Sequence, residues 1–368
     1  MANKFENRIE KLSNTVDTDI VFITDPVNIF YFTGCFINPH ERLLVLIADT
    51  DTRETTLVFP ALDQEVVNQS ATVTHHLPHK DGDNPFSLIF DVFNSKKSVA
   101  VEGSHLTYDR YLSLLDHFNP EGIHRADDEL NALRGIKNDE DREKLQEAVD
   151  ITEKALFDLT EWGVIGKSEK EISEYLVTQF KSYGAVDVSF GPLVLTGENS
   201  ALPHGVSGDT TVKEGDFLLI DCGVITKDRY VSDMTRTFII GEPTTEQRKI
   251  YETVLEANIA SIEVSTAGTE MRKLDNSARD IIENAGYGEY FTHRIGHGIG
   301  IGLHEQPSLD HQNKTPLQAG HVITIEPGIY QAGYGGVRIE DGIIVTEDGA
   351  PYNFNRFPKN IDSIILSK

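Results

Sequence analysis

FLLIDCGVITKDRYVSDMTRTFII, residues 217–240, sets two aspartates into an otherwise apolar, β-prone frame. FLLIDCG has the composition of a buried strand, ITKDR is a polar turn, and YVSDMTRTFII returns as a partner strand. The stretch therefore predicts a strand pair with Asp221 near the end of one strand and Asp233 near the start of the next. Two more acids recur in the same setting, Glu326 in VITIEPGIY and Glu340 in VRIEDGIIV. A carboxylate inside an apolar strand is costly to desolvate unless it is paired or bound to a cation. One such acid could simply end a strand and face water, as most do. Four in this pattern need a common explanation.

The flanking helices repeat. LNALRGIKNDEDREKLQEAVDITEKALFDLTEWG (130–163) places Leu145, Ala148, Val149, Thr152, Ala155, Leu156 and Leu159 at helical spacing, predicting one long helix that stops at Gly163. A second helix starts at Ser168, with Glu171 completing a capping box, and ends near Gly184. After the first strand pair the order recurs: a helix from Thr244 through Ile250, Val254 and Ala257, another through Leu274, Ala278 and Ile281 to Gly286, then the second strand pair. Each half reads helix, helix, paired strands, and a pseudo-twofold packing would bring the four carboxylates together. Ahead of it, apolar runs such as LLVLIA (43–48) and TTLVFPA (55–61) alternate with polar or helical stretches, as in an α/β domain. The expected division is 1–130 and 131–368.

Composition narrows the function. With 368 residues, two cores are expected. A net charge of −26 disfavours a nucleic-acid partner, which needs clustered Lys and Arg. No apolar run is long enough for a bilayer, the N-terminal MANKFENRIEKL lacks a signal peptide's apolar stretch, and Cys35 and Cys222 read as reduced thiols. A soluble cytoplasmic protein is the expectation.

The fifth candidate ligand is His297, in THRIGHGIGIGLHEQP, where glycines 296, 298, 300 and 302 leave room for the imidazoles of His297 and His304 to face a cavity. His204, in NSALPHGV, reads first as a turn residue. Asp221, Asp233, His297, Glu326 and Glu340 supply four negative charges and one imidazole, which match two divalent cations. Hydroxide between such cations is a nucleophile at neutral pH, the arrangement of a hydrolase.

GENSALPHG, DCG followed by YVSDMTRT, HRIGHGIGIGLHEQP, TIEPGIY and GVRIEDG resemble the signature segments of the pita-bread metallopeptidases, the group of methionine aminopeptidase, aminopeptidase P and prolidase. NIFYFTGCF and NPHER resemble the creatinase-type domain that precedes the catalytic domain in prolidases and aminopeptidases P. The implied fold is an α/β creatinase-like domain followed by an α+β pita-bread domain with pseudo-twofold symmetry. By the same resemblance Asp221 would chelate one metal, Asp233 and Glu340 would bridge both, and His297 and Glu326 would complete the second. His204 would hold substrate and stabilise the oxyanion, and His304 would contact the substrate carbonyl or the proline carboxylate. Glu326 could relay a proton to the departing proline nitrogen, and Arg338 matches an arginine able to bind a carboxylate bidentately. In the family the two aspartates stand one residue closer, so the extra residue is expected in the hairpin tip, with Asp228 an alternative ligand and Cys222 turned away.

The implied activity is dinuclear-metal hydrolysis of the Xaa-Pro bond in dipeptides, with Mn²⁺, Co²⁺ or Zn²⁺. A small peptide with proline second would be the substrate, and a homodimer would let the loop Asn38 to Arg42 reach the partner's site. The alternatives are an Xaa-Pro aminopeptidase acting on longer peptides, and a non-catalytic or creatinase-like protein on the same fold.

Overall fold

The computed structural model describes residues 4–367, which divide into two compact units between Arg134 and Gly135. In the first unit six strands form one mixed sheet in the order His75–His79, Thr55–Pro60, Val45–Asp49, Ile20–Ile23, Val99–Val101, Ile123–Arg125. Ile20–Ile23 pairs antiparallel on one side and parallel on the other. Strand alternation sends Val21 and Ile23 into one apolar cluster and Ile20 and Phe22 into another, so both faces of the sheet are covered.

The stretch 130–163 is two helices rather than one. Asp127–Gly135 ends, Lys137 donates its N–H to the Gly320 carbonyl at 2.8 Å, and Asp139–Trp162 begins afresh. The reason is local: Asn138 caps the new helix and forms a reciprocal capping box with Asp141. That satisfies two N–H groups which a continuous helix would have bonded to its own preceding turn. In the second unit the helices Glu169–Ser182 and Thr245–Glu263 also start on capping boxes, Ser168 with Glu171 and Thr244 with Gln247. With Arg272–Asn284 they complete the two helix pairs, whose apolar stripes join one core that includes Leu156, Leu176, Val254 and Ala278.

Phe217–Cys222 and Met234–Ile240 pair antiparallel, with Asp221 opposite Thr235 and Cys222 opposite Met234. Asp233 stands two residues before Thr235 and so shares the face of Asp221, while Cys222 turns into the core. The residues between the aspartates are more than a hairpin tip. Val224–Ile225 leaves to pair with Asp187–Val188, Ile225 bridges Val231, and a tight turn closes through Thr226 N–H to Tyr230 O at 2.9 Å with Arg229 at φ 67°. The residues between the aspartates thus form a side excursion, and Asp221 and Asp233 keep one face of the strand pair.

The second strand pair departs from the sequence reading. VITIEPGIY and VRIEDGIIV are each broken at their acid: Val322–Ile325 pairs with Asp341–Ile344, whereas Gly328–Gln331 pairs with Gly335–Arg338 in a separate ribbon. Pro327 has no N–H to continue the ladder. Glu326 and Glu340 instead bond sideways, to Ile295 O at 2.8 Å and Thr235 O at 3.1 Å. The bond from Glu340 joins the two halves, and Thr237 Oγ1 adds another by donating to Arg338 O at 2.9 Å.

Candidate metal centre

A cavity of about 910 Å³ in the second unit gathers Asp221, Asp233, His297, Glu326 and Glu340 on one wall, with His204, His293, Arg294, His304 and Arg338 around them. Asp233, His297 and Glu340 are buried, and each offers one atom within 4.8 Å of the others. His297 Nε2 lies 3.6 Å from Asp233 Oδ2 and 3.6 Å from Glu326 Oε1. Its Nδ1 is 3.0 Å from Gly298 O, a carbonyl that can only accept, so Nδ1 carries the proton and Nε2 presents a lone pair to the carboxylates. Burial holds this imidazole at about 4, neutral at pH 7.

Four carboxyl groups therefore face one another around a neutral imidazole. Burial, reinforced by the neighbouring acids, pushes Asp233 and Glu340 far above the usual carboxylate range. Glu326 is pushed up to about 7, again first by burial. Glu340 Oε2 accepts from Thr235 Oγ1 at 2.8 Å, but Glu340 Oε1 and Asp221 Oδ1 are buried without a hydrogen-bond partner. Such orphaned oxygens cost free energy unless something cationic completes them. The donor set of carboxylates plus one imidazole fits divalent cations of the first transition row.

The side chain of Arg338 is only 4% exposed, and it lies beneath Asp221. Its Nη2 donates to Asp221 Oδ2 at 2.5 Å, Nε to Thr235 Oγ1 at 3.0 Å and Nη1 to the Tyr330 hydroxyl at 2.9 Å. Three of its five N–H groups are thus committed to the protein, and it faces the cavity with what remains. The Tyr330 hydroxyl also lies 2.9 Å from His293 Nε2, extending the chain His293, Tyr330, Arg338, Asp221. Burial takes His293 down to about 4 and Tyr330 up to about 12.

His204 is exposed on its loop and lines the cavity. His304 sets its ring edge against His297, centroids 4.4 Å apart at 90°, and burial lowers its pKa. Asp228 sits in the turn of the side excursion and is not among the cavity-lining residues. Sequence reasoning assigned no role to His293, Tyr330 or Arg294, nor to the apolar wall of Phe190, Pro192, Leu193, Val206 and Leu303. His293 was visible as a third histidine in the glycine-rich string. Its partner Tyr330 stands 37 residues away, at the end of the TIEPGIY segment, and nothing local links the two.

Residues 143–347 match the model of metallopeptidase family M24, and residues 7–136 match the creatinase/prolidase N-terminal domain. The chain belongs to metallopeptidase family M24. Among relatives, an uncharacterised peptidase of Staphylococcus aureus is 38% identical over 346 residues, covering 94% of this chain and 97% of the relative. Among solved structures, an Xaa-Pro dipeptidase from Bacillus anthracis superposes with TM-score 0.90 at 31% identity, covering 98% of this chain and 100% of that one. An X-Pro aminopeptidase from Thermotoga maritima gives TM-score 0.84 at 28% identity, covering 97% and 100%. The M24 protein is thus a peptidase with a creatinase-type domain ahead of a pita-bread domain, and its family implies divalent metal ions. No helix among the described residues is long and apolar enough to cross a membrane.

Proposed function

We propose that this M24 peptidase hydrolyses the Xaa-Pro bond of dipeptides, with two divalent cations, Mn²⁺ foremost, held by Asp221, Asp233, His297, Glu326 and Glu340. The observation that carries this reading is the convergence of those five groups, two of them with buried oxygens that lack any partner. Bound cations would supply Lewis acidity toward the scissile carbonyl and lower the pKa of water. The protein side chains do the rest. The Glu326 carboxylate, 3.6 Å from His297 Nε2, takes a proton from the attacking water and returns it to the leaving proline nitrogen. A bond to proline lacks the N–H by which peptidases grip an extended backbone, so side chains must orient the substrate. His204 and His304, which both line the cavity, would donate to its carbonyl and carboxylate oxygens. Arg338 holds Asp221 in place through the 2.5 Å bond and offers its remaining N–H groups to the substrate carboxylate.

The cavity favours a second reading. About 910 Å³ lies toward the upper end of the roughly 300–1,000 Å³ typical of ligand clefts, and the lining runs out to Lys170, Ser173 and Glu174, beyond the need of a dipeptide. An Xaa-Pro aminopeptidase acting on longer peptides would use that room. Turnover of Ala-Pro against Ala-Pro-Ala, before and after chelation and Mn²⁺ reloading, separates the readings. Metal-dependent cleavage of the dipeptide alone supports the first, equal or better cleavage of the tripeptide supports the second, and chelator-resistant cleavage sinks both.

A further inference from the structure

We propose that Lys137 is a positioning residue for His304, acting through Glu305. Lys137 falls between the two segments that match known families, 7–136 and 143–347. Its backbone is fixed to the catalytic unit, Ile136 bridging His321 and the Lys137 N–H bonding Gly320 O at 2.8 Å. Its side chain, 4% exposed, reaches 168 positions along the chain to place Nζ 2.7 Å from Glu305 Oε2.

The side chain of Glu305 is 1% exposed and its other oxygen closes a loop. Oε1 accepts from the N–H groups of Ile301 at 3.1 Å and Gly302 at 2.9 Å, so the chain wraps around the carboxylate immediately before His304. The wrap is tight. A Cβ on Gly300 would come within 2.8 Å of Lys137 Cε and 2.9 Å of Glu305 Oε2. The His304 ring makes no hydrogen bond among the described residues, only the edge contact with His297, so its place follows from the backbone that carries it. Without the ammonium, the buried carboxylate takes up a proton or swings toward water, and the two N–H groups lose their acceptor. Lys137 thus sets where the cavity's histidine stands without touching substrate.

Its effect on turnover rests on His304 facing substrate, as proposed above, whereas its effect on His304 itself does not. Two readouts keep these apart. In [13Cε1]-histidine protein, with the His304 signal assigned by His304→Gln, Lys137→Met shifts or broadens that signal while exposed His75 stays put. Lys137→Arg, which keeps the charge, leaves it near the wild-type position. On an Xaa-Pro dipeptide kcat/KM falls roughly 10- to 100-fold in Lys137→Met and within about threefold in Lys137→Arg, with affinity for Mn²⁺ alone unchanged. Should Lys137→Met not fold, Lys137→Gln, which retains a donor but no charge, gives the same two readings. An unmoved His304 signal, or a loss of kcat/KM no larger than the unfolded fraction explains, overturns the proposal. Wild-type protein that cleaves no Xaa-Pro peptide defeats the functional reading alone, and the histidine signal still decides the role of Lys137.

Discussion

Arg236 and Asp341 form an ion pair at 2.7 Å with side chains 1% and 0% exposed, directly behind the strands that carry the acids. Alternation explains the placing: Glu340 faces the cavity and Asp341 the opposite side, as Thr235 and Arg236 do across from them. Arg236 Nη1 also donates to Glu340 O at 2.7 Å and Nη2 to Phe357 O at 3.1 Å, and Lys359 adds a second cation to Asp341. The pair therefore fastens one half of the pita-bread domain to the other. Arg236→Met, similar in volume but uncharged, is expected to lower stability by roughly 3–5 kcal/mol in urea unfolding, because it strands buried acceptors. A loss under about 1 kcal/mol would show that Lys359 alone neutralises the carboxylate.

In the N-terminal unit Asp127 gives a pH signature. Burial raises its pKa, but the hydroxyl and N–H of Ser104, the Arg125 guanidinium and the Gly103 N–H together pull it down to about 2. The folded value lies below the ordinary 3.8, so the stabilisation is full above about pH 4 and disappears as pH falls through about 2. A shift of this size corresponds to about 2 kcal/mol. The stability difference between wild type and Asp127→Asn should therefore approach that figure at pH 7, shrink between pH 4 and 2, and vanish below. A difference independent of pH would place the effect in packing.

What could be read from sequence and what could not divides by distance along the chain. The caps at Ser168 and Thr244, the apolar helical stripes and the alternation that turns Cys222 from Asp221 are all set by neighbours within a few residues. The breaks at Glu326 and Glu340 were hidden, because the bonds that cause them run to Ile295 and Thr235, far off in sequence. The same holds for Tyr330 against His293 and for Lys137 against Glu305. The helix break at Asn138 is a different case. An apolar stripe cannot reveal that an asparagine will cap rather than continue, since both states keep the same residues on the core side.

The acids of the centre link cation binding to protons. Asp233 and Glu340 are pushed well up, and Glu326 to about 7, by burial and mutual repulsion, so without cations the cluster retains protons at neutral pH. Loading Mn²⁺ must expel them. Calorimetric titration at pH 7 in buffers of different ionisation heat should report proton release, and affinity should weaken as pH drops below about 7. Asp233→Asn and Glu340→Gln are each expected to cut affinity and turnover by roughly 100-fold or more. They should also abolish the rise in melting temperature on adding Mn²⁺, which in wild type corresponds to about 2.7 kcal/mol at a hundredfold excess over Kd. Binding without proton release would mean that the acids are already ionised in the empty site.

Gly223 is where the excursion between Asp221 and Asp233 leaves the sheet. A Cβ there would lie 1.9 Å from Ser232 O and 2.4 Å from Ser189 Oγ, distances no side chain tolerates. The backbone at Ser232 cannot retreat freely, because Ser232 N–H bonds Val224 O at 3.0 Å and its hydroxyl accepts from the Val224 N–H at 2.9 Å. Gly223→Ala must then push Ser232 outward, and Asp233 moves with it. Displacement by about 1 Å is enough to spoil a ligand set that depends on converging oxygens. The variant is expected to keep its circular dichroism while losing roughly 10- to 100-fold in Mn²⁺ affinity, measured by titration on the folded protein. Wild-type affinity in a folded Gly223→Ala would show that the excursion yields elsewhere, and that Asp233 is held by its strand rather than by the turn leading into it.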